Sequence, residues 1–155
     1  MGLDMTLTAK RFYGGYSDEA GRNRVVAAAG DIPPVGADVS SVTLELEVAH
    51  WRKANAIHGW FVENVQDGED KCEETFVSVD SIRELVALCE GVLDGAADPA
   101  DLAPVDGFFF GPTDDDEWYR QYVADTVDQL KPLITWVDAD PDRARQWDFY
   151  YRSSW

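Results

Sequence analysis

The sequence predicts a small α+β domain, with three main helices packed on a sheet of about four or five short strands. Three observations point there. Segments of two-residue alternation (42–48, 147–151) and segments of helical periodicity (51–65, 81–93, 113–134) follow one another in mixed order, without a regular strand–helix repeat. The chain has 155 residues, the length of one domain spanning 1–155. About 45% of its residues are hydrophobic, so a core can form despite a formal net charge of −17.

The elements follow in order. Leu3, Met5 and Leu7 alternate and open a first strand over 3–13. Residues 14–41 carry Gly14, Gly15, Gly21, Gly30, Pro33, Pro34 and Gly36 and read as an irregular segment with a short ordered piece at 24–29. Val42, Leu44, Leu46 and Val48 alternate with Thr43, Glu45 and Glu47, a strand with one buried and one wet face. Trp51, Ala54, His58, Phe61 and Val65 fall on one stripe of a helix over 51–65, which Gln66-Asp67-Gly68 ends. Residues 74–79 form a short strand around Phe76.

A second helix spans 81–93. Ser81 and Glu84 stand at capping-box spacing, and Gly95 closes the far end. Residues 94–107 are an acidic loop, and Phe108-Phe109-Phe110 reads as a strand. Thr113 is placed to cap a third helix, with Tyr119, Tyr122, Val123, Thr126, Val127, Leu130, Leu133 and Ile134 on one face. Pro132 should kink or shorten it. Residues 138–146 are a charged connector or short helix, and Trp147, Phe149 and Tyr151 alternate in a final strand.

A sequence pI near 4.2 excludes direct binding to a nucleic-acid backbone and to an anionic membrane surface. No segment approaches the roughly 18 apolar residues that span a bilayer, and MGLDMTLTAK lacks the pattern of a signal peptide, so a cytoplasmic protein is expected. The two cysteines, Cys72 and Cys89, have no spacing that implies a disulfide or metal pair. Nucleotide-binding glycine loops and nucleophile elbows are absent from the sequence. Asp138-Ala-Asp140-Pro-Asp142 imitates the start of a calcium loop, but Arg143 replaces its glycine and Phe149 its bidentate acid. Neither a catalytic residue, a metal site nor a cofactor is assigned.

Two regions carry the functional readings. The first is a basic island, residues 49–58. Here His50, Arg52, Lys53, Asn55 and His58 would line an anion site at a strand-to-helix junction, where helix N–H groups favour phosphate or carboxylate. His58 also lies inside the apolar stripe, which reads as a core histidine with Asn55 as its hydrogen-bond partner. The second is the acidic remainder. Residues 1–60 hold 7 acids and 6 bases, while residues 61–155 hold 23 acids and 7 bases. Glu117, Asp125 and Asp128 share the outer face of the third helix, and Asp114, Asp115 and Asp116 precede or open it. Such a ridge would draw the basic groove of a nucleic-acid-binding protein. Acids in the first turn also complement the helix dipole, and an excess of Asp over Glu, 20 to 10, also fits a bias of genome or habitat.

MGLDM at 1–5, HWRKANAIHGWFVENVQDGED at 50–70, GFFFGPTDDDEWY at 107–119 and DFYYRSSW at 148–155 resemble a family of small acidic proteins encoded by phages and prophages, mostly of unknown function. The likeness touches both ends and the centre and carries no catalytic residue. It implies an accessory protein that acts in the cytoplasm of a bacterial host by binding a host protein, of the anti-CRISPR or anti-restriction type. A small-ligand or nucleotide-binding protein with the anion site above is the alternative.

Overall fold

A computed structural model describes residues 2–34, 39–108, 110–114 and 116–155. Strand β1 (Asp4–Gly14) leads through helix α1 (Glu19–Ala28) to β2 (Ser41–Arg52) and α2 (Asn55–Val65). There follow β3 (Thr75–Val77), α3 (Val79–Asp94), a single 3-10 turn (Pro99–Leu102), α4 (Asp116–Asp138), the one-turn α5 (Arg143–Gln146) and β4 (Asp148–Ser154). The four strands form one antiparallel sheet in the order β2-β1-β4-β3, so the first and last strands lie side by side at its centre. The α+β class is therefore observed, with α1 as a further helix beside the three main ones.

Alternation sorts the sheet into two faces. Met5, Leu7 and Ala9 of β1, Phe149, Tyr151 and Ser153 of β4, and Ala49 and Trp51 of β2 are buried. Against them lie Ile57 and Phe61 of α2, Leu85 and Cys89 of α3, and Val123 and Leu130 of α4. Phe61 stacks on Tyr151 with ring centroids 4.0 Å apart. The opposite face carries exposed or half-buried Thr6, Lys10, Phe12, Glu45, His50, Arg52, Phe76, Tyr150 and Arg152.

β2 is longer than the alternation predicts because its phase shifts. Leu7 pairs with Ala49 but Thr8 pairs with Glu47, which leaves Val48 as the extra residue of a β-bulge. Beyond it the inward residues become Ala49 and Trp51. Trp51 is thus a strand residue and not the start of the helix, and its indole N–H donates to Thr126 Oγ1 of α4 at 2.9 Å. Lys53 turns the chain with a φ of 54°, and α2 begins only at Asn55.

Other boundaries also move. The ordered piece in the Gly/Pro segment is α1, starting at Glu19; none of its residues is buried. The cap of α3 is Ser78, whose hydroxyl accepts from the Ser81 N–H at 3.0 Å; Ser81 is already inside the helix. Gly95 closes α3 with a φ of 75°. Phe108 and Phe110 lie in a turn closed by the Phe110 N–H on the Gly107 carbonyl at 3.0 Å, so the predicted strand is replaced by a turn at those two positions; Phe109 lies outside the described residues. α4 starts at Asp116, three residues beyond Thr113, and runs through Pro132 to Asp138.

Candidate functional site

The acidic reading maps onto α4 and the residues before it. Asp114, Asp116, Glu117, Asp125 and Asp128 are all exposed, while Asp115 lies outside the described residues. Burial of Tyr122, Val123, Thr126 and Leu130 fixes the helix's inner face and turns Glu117, Asp125 and Asp128 outward. Gln121 donates to Asp125 at 2.7 Å. Among the described residues none of these five carboxylates forms an ion pair. Several cations of the helices are engaged with other acids: Arg83 pairs with Asp80 and Asp138, Lys131 with Glu90, Arg143 with Asp140 and Arg145 with Asp142. The three aspartates that imitate a calcium loop therefore each face an arginine. Among the described residues no helix is long and apolar enough to cross a membrane.

The basic island divides. His50 and Arg52 project from β2 onto the open face of the sheet, and each lies 3.9 Å from Asp4 Oδ1. Sheet register adds a residue that spacing along the chain does not reveal: Thr6 pairs with His50 on one side and with Arg152 on the other. Lys53 sits in the turn, and its carbonyl accepts the Trp118 indole N–H at 3.3 Å. Asn55 and His58 enter the core with 0% and 2% exposure. The five residues do not gather into one cluster.

Asn55 is not the partner of His58. Its amide donates to the carbonyls of Phe110 (3.3 Å) and Pro112 (3.1 Å), and its Oδ1 accepts from the Tyr122 hydroxyl (3.3 Å). It thereby pins the turn that precedes α4 to the start of α2.

His58 belongs to a buried relay that the sequence did not signal. Its Nδ1 lies 2.8 Å from the Tyr151 hydroxyl and its Nε2 3.2 Å from Asp70 Oδ2. A carboxylate only accepts, so Nε2 carries the proton and the phenol donates to Nδ1. Asp70 also accepts from the Cys72 N–H (2.9 Å), the Ser153 hydroxyl (2.7 Å) and the Trp155 indole (2.6 Å), which fills its four acceptor positions. Burial pushes the Asp70 carboxyl up, but those donors and His58 outweigh it and hold the group below the usual carboxylate range. Burial lowers His58 below the ordinary imidazole value against the opposing pull of Asp70, so the neutral ring is favoured. Burial also raises Tyr151 well above an ordinary phenol.

Acid, imidazole and hydroxyl stand in the order of a hydrolase triad, but the hydroxyl is a phenol with no exposed surface. A nucleophile must meet its substrate, so this order does not make an active site. What it does is fasten the end of β4 to α2 and to the 66–74 loop. Phe110 covers the assembly, edge-on to His58 (4.8 Å between centroids) and to Trp155 (6.0 Å). Asp70, Tyr151, Ser153 and Trp155 are separated from His58 by 12 to 97 residues, a range at which no local motif can announce them.

No protein-family model matches the chain, and neither a curated protein nor a solved structure does.

Proposed function

We propose that this is a non-enzymatic interaction protein, a phage-type accessory factor that sets an acidic surface against the basic nucleic-acid-binding surface of a host protein. It would act as an anti-CRISPR or anti-restriction inhibitor of the DNA-mimic kind. One observation carries the reading: Glu117, Asp125 and Asp128 line an exposed helix face, with Asp116 exposed at its start, and none of the four has a cationic partner among the described residues. Residues 79–138, the span from α3 to α4, hold 14 acids and three bases. At about 1.5 Å rise per residue, Glu117 and Asp128 lie about 16 Å apart along the helix axis. That is about the reach of four to five phosphates on one DNA strand. Such a field raises encounter rates with a basic groove and is screened by salt. The phage assignment rests on the sequence resemblance.

Affinity capture from bacterial lysate at low salt tests the reading. A nucleic-acid-binding protein should be retained and then released as salt rises. Recovery of no such protein overturns it.

A second reading, a small anionic ligand, is favoured only by the register that sets Arg152 across Thr6 from His50, on the same open face as Arg52; Asp4 in their midst opposes it. A thermal-shift screen with phosphates and nucleotides checks this, and no stabilisation, or stabilisation that survives Arg152→Gln, removes it.

A further inference from the structure

β2 stands at one end of the strand order and is paired with β1 alone. Its other side is a sheet edge. Backbone groups of a strand aim alternately to its two sides. The Lys53 N–H meets the Leu3 carbonyl at 2.7 Å, so Leu3, Met5, Leu7 and Ala9 aim at β2. Leu46, the partner of Ala9, aims back at β1, and Thr43, Glu45 and Glu47 therefore turn their N–H and C=O groups outward. The His50 N–H also points outward, and there the side chain of Gln129 on α4 accepts it at 2.8 Å. Among the described residues nothing closes the edge in this way over 43–47.

The side chains beside this edge sort by chemistry. Glu45 and Glu47 are exposed on the open face of the sheet. Glu45 shares Lys10 with Glu74, at 3.4 and 2.7 Å, while Glu47 forms no ion pair among the described residues. On the other face Leu46 is 44% exposed, and Val42 and Leu44 are half-buried. A strand added here must bring positive charge on one face and apolar groups on the other. A second copy of this chain does not meet that demand. Antiparallel pairing of two β2 strands about Glu45 sets Glu45 against Glu45, and like charges directly opposite are destabilising. Acids on an exposed edge thus guard against self-pairing and at the same time attract a basic strand.

We propose that the 42–47 edge of β2 takes an extended segment of a protein partner as an added antiparallel strand, a segment in which lysines or arginines alternate with apolar residues. Its basic residues lie opposite Glu45 and Glu47, and its apolar residues lie beside Leu44 and Leu46. Main-chain hydrogen bonds supply affinity, and the alternate side chains supply selectivity. At its His50 end the edge runs into α4, where Gln129 stands one turn from exposed Asp125, so the added strand ends beside the acidic helix. The inference rests on the acidic reading above for the sign of the partner's charge, and it adds a backbone template to that reading.

Two peptides of about nine residues, alternating lysine and valine and identical in charge, test the edge. One carries N-methyl groups on its lysine amides, the other on its valine amides. Lysines opposite Glu45 and Glu47 form hydrogen-bonded pairs with them, so the lysine N–H groups are the ones aimed at β2. The valine-methylated peptide should bind about tenfold more tightly at low salt, a difference worth about 1.4 kcal/mol. It should slow amide exchange at Thr43, Glu45 and Glu47, and leave His50, already held by Gln129, unchanged. Equal affinity of the two peptides, or no slowing of exchange over 43–47, overturns the edge site and leaves the acidic reading standing. If neither peptide binds at low salt, the acidic reading is overturned, and the edge site with it.

Discussion

The hydroxyl of Tyr151 stands 2.8 Å from Nδ1 of His58, and that contact ties the last strand to the first turn of α2. Both side chains are buried, so the bond has no water to replace it. Tyr151→Phe keeps the stack on Phe61 but strips His58 of its donor. It is expected to lower unfolding stability by about 1–3 kcal/mol, read from urea melts.

The same network fixes a pH dependence. The folded-state value of His58 is lowered, so between the ordinary imidazole value of about 6.5 and that lower value the unfolded chain binds more protons. Stability should therefore fall as pH drops below about 6.5, and this contribution stops changing once the folded ring also protonates. Asp70 adds a second loss at lower pH, because its folded value lies below the ordinary carboxylate value. Relief of repulsion among the many acids works the other way, so the informative quantity is the difference between the parent and His58→Gln across the pH range. A constant difference from pH 7 to pH 5 would contradict the assignment of a neutral buried ring.

Asn55 anchors the turn before α4 through two carbonyls and a phenol. Asn55→Ala leaves those groups without it and is expected to cost about 2–3 kcal/mol. Faster amide exchange over 107–113 than over α3 would locate the loss in the turn it holds.

Pro132 cannot donate to the Asp128 carbonyl, yet α4 continues through it to Asp138. Because Pro132 is exposed, Pro132→Ala should stabilise the protein, by up to about 3 kcal/mol. A lower melting temperature would show that the ring contributes packing beside Trp136 that outweighs the helix penalty.

Where the hydrophobic period was unbroken, sequence and structure agree. α3 shows this, with Ile82, Leu85, Val86, Cys89 and Val92 inward and Gly95 at its end. Reading failed where two patterns meet. The bulge at Val48 shifts the alternation by one residue, so Trp51 fell on the stripe of the following helix while its backbone completes a strand. The phenylalanines at 108 and 110 looked like strand residues because three apolar residues in a row carry no period of their own. The inward placement of His58 was legible from its position on the stripe. Its partners were not, since Asp70 and Tyr151 reach it only through tertiary folding. Exposure of the α4 acids was legible from the same periodicity that buried Tyr122 and Leu130.

Folding and recognition should separate on α4. Glu117→Gln, Asp125→Asn and Asp128→Asn together remove exposed like charges, so stability should change by less than about 0.5 kcal/mol per site. Relief of repulsion and loss of the Glu117 charge from the first turn of α4 act in opposite directions, so the net change should be small.

That triple variant makes the decisive comparison possible. The measurement is retention of a nucleic-acid-binding host protein on the immobilised parent and on the variant, at low salt, with increasing duplex DNA as competitor. The expected result is retention by the parent, displacement by DNA and loss on the variant. Equal retention by both proteins, or indifference to DNA, would contradict the claim that the α4 carboxylates stand in for a phosphate backbone.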